Sequence, residues 1–466
     1  MQSHISIVGT FGGGATDTIM HPVVLVALIA AIALVLWLPR KHVVVAFLLA
    51  LFLLPAGQEL YVFGVHLYVP RILIMIGLAR LARENVGSRI PILPGGWNDL
   101  DKLFTCWAVL HVVVSTLYYW GNAAAFISKI AFLWDTLGGY YFLRFLIRDT
   151  EDIRRIAKTF AIIVAILGVA LVYERVQNRN LFAYFGSLPP IPGKRWGTIR
   201  AQGPFAHPIL AGSFAATVLP FLVWLWDSRR TKIMAALGVA GCTAMVIGSS
   251  SSTPLLSYLA VIAGICFWPL RGRMSAVRWV FVILLIACSL AMKAPVWFII
   301  ARVHLLGGNS GWHRAELIDM FFRHFSEWWL LGTDKQATWA RYGNLDDLCE
   351  QWIVEGETGG LVTLVCFILL IKRLFSRIGK ARIRTSQDLK QEWLLWLIGV
   401  ALFSHCLGYF GISYFDQTRF SWYALLCIIS VATIPKKDKA RVLKHAQNRA
   451  NIESLTPVAS MARVTG

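Results

Sequence analysis

The sequence predicts an all-α fold, a polytopic transmembrane helical bundle, from its composition and from the lengths of its apolar runs. Of the 466 residues, 57% are hydrophobic and only 15% are charged, whereas a soluble domain carries about 25% charged residues. The apolar residues form long runs, such as Pro22 to Leu38 and Thr159 to Val172. Such runs are long enough, or nearly so, to cross a bilayer as helices whose backbone satisfies its own hydrogen bonds.

The runs predict about 12–13 crossings within a single transmembrane domain, residues 1–434. The first run is interpreted as a retained crossing, because residues 1–20 hold no Lys or Arg and lack the basic start of a cleavable signal peptide. The second run is short, and an even number of crossings with both termini inside is the alternative. The approximate bounds are 22–39, 42–55, 66–82, 102–119, 123–146, 157–173, 207–226, 232–248, 254–270, 278–296, 353–372, 393–410 and 419–434.

The net charge of +20 does not indicate a nucleic-acid partner, because most cations lie in short loops between apolar runs. The distribution of the cations among these loops instead predicts the membrane topology. Alternate loops are basic, among them 80–89, 144–158, 271–278 and 372–390. The positive-inside rule places these loops in the cytoplasm, the N-terminus outside and the C-terminus inside. The basic tail, 435–466, is predicted to be disordered and to touch anionic lipid of the bilayer.

Ionisable residues within crossings are unusual, because hydrocarbon disfavours them unless they face a partner or a wet cavity. Lys129 and Asp135 are six residues apart and are not well placed to pair with each other. Arg71 is a further candidate, with snorkelling to the interface as the alternative. The eight cysteines occur without a CxxC pair, which predicts packing residues and neither a disulfide framework nor a zinc site.

Two predicted outside segments, 174–206 and 297–352, are long, and long loops commonly carry function. The first breaks the charge rule, because it sets five cations against a single acid, Glu174. Two interpretations stay open: contacts with outer-leaflet lipid or local salt bridges, and an anionic ligand such as phosphate gripped by arginine forks. The five cations are Arg175, Arg179, Lys194, Arg195 and Arg200.

The first segment ends in Arg200-Ala-Gln-Gly-Pro-Phe-Ala-His207-Pro. Gly203 and Pro204 predict a turn, and Pro208 suits the first position of the following helix. Arg200 and His207 would then lie at the mouth of that helix. Its N-terminus adds a partial positive charge, so an anion is expected to settle there.

The second segment predicts an amphipathic helix from His313 to Phe325, with Trp328 and Trp329 at the membrane interface. Asp346 and Asp347 precede the next crossing. They are either solvated loop acids that delimit the helix or a general base above the membrane, since adjacent carboxylates raise one another's pKa. The residues alone favour loop acids.

Taken in order, these motifs resemble the O-antigen ligase and O-antigen polymerase superfamily over about residues 160–375. The Arg200-x-x-Gly-Pro-Phe-x-His-Pro motif opens a crossing, and a Ser-Ser-Ser-Thr-Pro turn at 250–254 precedes a later one. The long loop contains Gly311-Trp-His-Arg314, then Trp329 followed by Gly332-Thr333. It ends with Glu355-Gly-Glu-Thr-Gly359-Gly360 entering a crossing.

The resemblance implies a GT-C-like membrane glycosyltransferase in a bacterial inner membrane. The enzyme would need no metal ion or other cofactor. It would take a glycan from an undecaprenyl-diphosphate carrier on the periplasmic face and transfer it to a glycan or lipid acceptor. Arg200 and Arg314 would grip the diphosphate, assisted by His207, Arg195 and Lys194, and Arg314 would also lower the charge on the leaving group.

One departure concerns the base. Ligases of the family carry a His about eleven residues before the Gly-x-x-Gly that enters the crossing, and counting back from Gly356 gives Leu345. Either Asp347 or its neighbour Asp346 replaces the histidine, or the base lies elsewhere. The departure favours an exopolysaccharide or O-antigen polymerase over a lipid A–core ligase.

The alternative function is a transporter or flippase of lipid-linked glycan, which would use the same cations to move a charged substrate. A transporter typically has inverted repeats and helices broken near the midplane. The sequence has no convincing repeat, and the candidate residues cluster on one face, which favours an enzyme.

Overall fold

The computed structural model describes residues 18–62, 65–85, 93–302, 310–339 and 350–435. Its regular structure is almost entirely helical, which confirms the predicted all-α class. Five helices in these ranges are long and apolar enough to cross a membrane, and three shorter ones are also apolar. The five are Asp99–Tyr118, Thr150–Gln177, Pro208–Leu225, Arg229–Gly248 and Trp268–Ala291, the last two counted with short helical turns at their starts.

All thirteen predicted crossings overlap helices. The first half of the chain contains α1 (Pro22–Trp37), α2 (Arg40–Leu53), β1 (Glu59–Val62), β2 (Val65–Tyr68), α3 (Val69–Asn85), α4 (Asp99–Tyr118), α5 (Ala123–Leu133), α6 (Gly139–Leu146) and α7 (Thr150–Gln177). The second half contains β3 (Lys194–Arg195), β4 (Thr198–Ile199), α8 (Pro208–Leu225), α9 (Lys232–Gly248), α10 (Ser252–Cys266), α11 (Met274–Ala291), α12 (Ile299–Arg302), α13 (Ser310–Arg323), α14 (Phe325–Trp328), α15 (Gln351–Arg384), α16 (Leu389–Gly408) and α17 (Thr418–Ala432).

One predicted helix start is wrong. The crossing expected from residue 66 begins at Val69, because Val65–Tyr68 instead pairs antiparallel with Glu59–Val62. Alternating tyrosine, valine and leucine side chains suit a short hairpin at this point. The hairpin leads the chain into α3 with Arg71 in its first turn.

The run predicted as one crossing, 123–146, is a helix with a π-helical turn, Trp134–Gly138, between α5 and α6. Such turns insert one residue into the helical ladder and frequently mark functional or strained positions. The turn places Asp135 against Arg71, whose Nε and Nη2 donate to the two carboxylate oxygens at 2.9 and 3.0 Å. Both side chains are buried. Arg71 is therefore paired with Asp135 inside the bundle and does not snorkel to the interface.

The start of α4 illustrates how a polar helix end is accommodated. Asn98 caps the helix, and the Asp101 carboxylate accepts from the backbone N–H of Asn98, which completes a capping box. Asp101 also accepts from Tyr140 Oη at 2.7 Å and from Arg144 Nε at 3.2 Å. Asp99-Leu100-Asp101 thus forms the capped start of this helix.

The helix α8 lies at the centre of the bundle, and nearly every one of its residues is buried. Its neighbours α7 and α9 approach each other at Gly168 and Gly241, where a methyl group on Gly168 would lie 2.7 Å from the Gly241 Cα. Because α8 is buried along nearly its whole length, its first and last turns mark the two ends of the bundle. Its 18 residues separate these two ends by about 27 Å.

Candidate functional site

The turn before α8 is fixed by the end of α7. The Glu174 carboxylate accepts from the backbone N–H of Gln202 at 3.1 Å and of Gly203 at 2.8 Å. Gly203 has φ +59°, a conformation that glycine adopts without strain. The Asn180 side chain donates to the Gly203 carbonyl at 3.0 Å. The predicted turn is confirmed, and the single acid of the cationic segment is its anchor.

Two other parts of the chain, at Ala56 and at Asp416-Gln417, hold the opposite side of the same turn. The Pro204 carbonyl accepts from Ala56 N at 2.8 Å and from Gln417 Nε2 at 3.1 Å. The Asp416 carboxylate accepts from Ala206 N at 3.2 Å. Because the backbone is held from both sides, Arg200 and His207 project from a rigid support.

Arg200 is half-buried and faces the turn before α10. Its Nη2 donates to Ser251 Oγ at 2.9 Å, whereas its Nε has no hydrogen-bond partner among the described residues. Burial, and then the charges of Arg195 and Arg314, lower the pKa of Arg200 to about 10. The guanidinium thus remains charged at pH 7, although it is partly desolvated and surrounded by like charge.

The effect of Arg195 and Arg314 on Arg200 shows that arginines from both long segments lie near one another. Arg195 lies on the two-stranded hairpin Lys194–Ile199, and Arg314 lies on the first turns of α13. Lys194 and Arg195 are exposed on the hairpin, whose tip carries Trp196 with 72% of its surface exposed. A cluster of like charges is unfavourable on its own and favours an anionic occupant.

The serine turn at 249–252 holds arginines in place. Besides accepting from Arg200, this turn accepts from Arg175 Nη1 at Ser250 Oγ, at 3.2 Å. Ser250 also donates to the Ile199 carbonyl at 3.1 Å and has φ +45°. The described contacts of this turn fit a turn that orients cations.

The amphipathic helix predicted at 313–325 is present as α13, followed by the short helix α14. Its apolar face packs on the start of α15. The Phe321 ring stacks on Trp328 with ring centres 3.9 Å apart, and Trp328 Nε1 donates to the Phe321 carbonyl at 2.7 Å. Gly356 allows this packing, because a methyl group there would meet the Phe321 ring at 2.5 Å.

The Gly332-Thr333 turn and the Glu355–Gly360 motif interlock through their backbones. Thr333 N donates to the Glu357 carbonyl at 2.7 Å, and Leu361 N donates to the Trp329 carbonyl at 2.8 Å. Gly360 interrupts α15 with φ +67°, and a side chain there would meet the Leu330 carbonyl at 2.6 Å. The two motifs therefore form one unit that positions the first two turns of α15.

Two buried glutamates on this unit were not among the residues selected from the sequence. Glu350 is 1% exposed and Glu357 is 2% exposed. Glu350 lies outside the predicted crossings, and burial followed by the Glu357 charge raises its pKa well above the ordinary value, while Arg314 opposes the shift. The Glu355–Gly360 motif is recognisable in the sequence by its glycines, and acids that enter a crossing are the signal by which its glutamates could have been selected.

The remaining predicted residues have distinct positions. His207 is the N-cap of α8, and its Nδ1 accepts from Ile209 N at 3.2 Å. Its ring thus stabilises the helix start at the mouth of the site. Asp346 and Asp347 lie outside the described residues, and so does the tail from residue 436. Lys129 is half-buried on α5.

A cavity of about 310 Å³ lies at the other end of the bundle. Trp224, Trp268, Trp393 and Arg271 line it, near the last turn of α8 and the first turn of α16. Since His207 begins α8, the arginine cluster and this cavity occupy opposite ends of the bundle. The cavity is therefore separate from the candidate site.

Comparison with known proteins gives no relative: no protein-family model matches the chain, and no curated protein does. The fold defines an all-α protein with several helices suited to crossing a membrane. The candidate site is a cluster of cations with buried carboxylates at one end of the bundle.

Proposed function

We propose that the protein is a membrane glycosyltransferase of the O-antigen ligase or polymerase type. It takes a glycan from an undecaprenyl-diphosphate-linked donor at the periplasmic face of a bacterial inner membrane and transfers it to a glycan or lipid acceptor. In this proposal the N-terminus is periplasmic and the C-terminus cytoplasmic. The convergence of Arg195, Arg200 and Arg314 from two separate segments supports the proposal.

The chemistry follows from the charge of the leaving group. When the bond between the anomeric carbon and the phosphate oxygen breaks, its electron pair leaves on the diphosphate. Preorganised arginines stabilise that developing charge and act more strongly where water is excluded. Arg200 fits this role because its backbone is fixed and one side of its guanidinium is held by Ser251.

The test is reconstitution in liposomes with an undecaprenyl-diphosphate-linked oligosaccharide and a glycan acceptor. We expect Arg200→Ala and Arg314→Ala each to lower glycan transfer by about 100-fold or more, as loss of one charge-stabilising donor does in other enzymes. Arg200→Lys is also expected to be impaired, because lysine lacks the bidentate fork.

Arg179→Ala is the matched control, since Arg179 is an exposed cation of the same segment. It should retain transfer close to that of the wild type. Full activity of both Arg200→Ala and Arg314→Ala contradicts the proposed site. Movement of the lipid-linked glycan across the bilayer without transfer supports the transporter or flippase instead.

A further inference from the structure

Glu350 and Glu357 are buried carboxylates with oxygens that find no hydrogen-bond partner among the described residues. This holds for Oε1 of Glu350 and for both oxygens of Glu357. Buried polar atoms are usually satisfied, and a protein that retains several unsatisfied ones near each other calls for an explanation. Ligand binding or proton transfer supplies one.

Glu355 shows that burial on this helix does not by itself leave a carboxylate unsatisfied. It is 1% exposed, like Glu350. Its oxygens nevertheless accept from Trp107 Nε1 at 2.8 Å and Gln351 Nε2 at 2.7 Å. The same segment therefore holds one structural glutamate, Glu355, and two glutamates with at least one oxygen that has no partner among the described residues.

Glu350 occupies the N-cap position of α15, where acidic side chains commonly bind the first N–H groups of the helix. Its side chain makes no such bond to the described first turn. The carboxylate is therefore available for another role. Glu357 lies seven residues further on, about two turns along the helix and on the same face.

Glu350 also shares its surroundings with the arginine cluster. Arg314 and Glu357 both act electrostatically on Glu350, and Arg314 acts on Arg200. The Glu357 backbone is fixed by Thr333, which holds this acid deeper in the interlocked unit. The two carboxylates and the proposed diphosphate-binding cations thus belong to one site.

We propose that Glu350 is the general base of the transfer reaction and that Glu357 is a positioning residue that keeps it basic. This inference rests on the proposed glycosyltransferase function. Glu350 accepts the proton of the acceptor hydroxyl as that oxygen bonds to the anomeric carbon. The bond from the anomeric carbon to the diphosphate oxygen breaks, its electron pair leaves on undecaprenyl diphosphate, and the anomeric configuration inverts.

The assignment also accounts for the missing histidine of the resembling family. A carboxylate that is buried beside another carboxylate binds its proton more tightly, which matches it to base chemistry near neutral pH. Arg314, whose charge acts on Glu350, links proton removal to stabilisation of the leaving group.

The experiment measures donor binding, kcat and the pH–rate profile for the full-length protein in liposomes. We expect Glu350→Gln to lower kcat by about 100-fold or more, to leave donor binding within about threefold, and to remove the rising limb of the pH profile. Glu350→Asp should regain part of kcat. Glu357→Gln should shift that limb to lower pH, because the variant lacks the Glu357 charge that raises the pKa of Glu350.

Glu355→Gln is the matched control, expected to lower the Tm while leaving the rising limb in place. If the wild type transfers glycan and Glu350→Gln keeps both kcat and the limb, Glu350 is not the base while the proposed function stands. Loss of the limb in Asp346→Asn or Asp347→Asn, with Glu350→Gln unaffected, overturns the assignment in the same way. A wild type without transfer overturns the proposed function and this inference together.

Discussion

Glu174, at the end of α7, binds the backbone of Gly203 through an N–H to carboxylate hydrogen bond of 2.8 Å. Because the same carboxylate also binds Gln202 N, it fixes the turn that carries Arg200. Glu174→Gln replaces one acceptor oxygen by a donor that faces an N–H group. We expect a loss of about 1–3 kcal/mol in the free energy of unfolding, with reduced glycan transfer, measured by thermal unfolding in detergent and by the reconstituted assay.

Glu151→Gln is the control for this prediction, because Glu151 is exposed on the first turn of the same helix. Its effect on unfolding should stay within about 0.5 kcal/mol. Equal Tm values for the Glu174→Gln and Glu151→Gln variants would show that the turn does not depend on the carboxylate.

The buried pair of Arg71 and Asp135 predicts a larger effect. Asp135→Asn leaves the Arg71 guanidinium buried without its bidentate partner, and also removes the charge that lies 3.8 Å from Arg419. Removing one member of a buried ion pair costs about 3–5 kcal/mol. We expect a fall in Tm of corresponding size in detergent.

Arg323→Ala is the comparison for that pair. Arg323 pairs with Asp319 one helical turn away, but its side chain is 56% exposed. Exposed pairs contribute about 0–1 kcal/mol, so this variant should unfold close to the wild type. A similar Tm for the Asp135→Asn and Arg323→Ala variants would contradict a structural role of the buried pair.

Gly332 is predicted to tolerate no side chain. It has φ +83°, and a methyl group there would collide with the Glu357 carbonyl. Gly332→Ala should therefore separate the two interlocked motifs, lower the Tm and reduce glycan transfer. Gly379→Ala is the matched control, since nothing lies near that position in α15, and alanine is favoured over glycine in a helix by about 1 kcal/mol. Equal behaviour of the two variants would remove the argument for the interlock.

The sequence predicted the helices well because apolar runs of membrane length have few alternatives to a helix. Arg200 and Arg314, selected from the two long segments, lie near enough for the Arg314 charge to lower the pKa of Arg200, while their role in binding diphosphate stays a prediction. The predicted helix start at residue 66 was wrong, because the residues of this short hairpin are as apolar as those of a helix start.

Glu350 and Glu357 illustrate what the sequence did not predict. Adjacent Asp346 and Asp347 are conspicuous as a pair, whereas Glu350 stands alone before a crossing. Only the packing shows that it is buried, that its side chain does not cap α15, and that Arg314 lies near it. Burial and hydrogen-bond satisfaction depend on distant contacts, which spacing along the chain does not reveal.

The raised pKa of Glu350 predicts that stability and activity change with pH in opposite directions. In the unfolded chain the carboxyl has the ordinary glutamate pKa of about 4.3, whereas burial and the Glu357 charge raise it in the folded protein. The folded state therefore binds more protons than the unfolded state between these two values, and stability falls as the pH rises. The contribution is fully present below the unfolded-state pKa and is lost as the pH passes through the folded-state pKa.

Glycan transfer should rise over the same interval, because a base works only when it has lost its proton. Thermal unfolding and reconstituted transfer, measured at matched pH values, check both limbs. Glu350→Gln should remove both the fall in stability and the rise in glycan transfer with pH, since both depend on the titration of Glu350. If Glu350→Gln leaves the fall in stability unchanged, another buried acid causes that fall. Glu357→Gln, tested at the same pH values, then shows whether the second carboxylate of the pair is that acid.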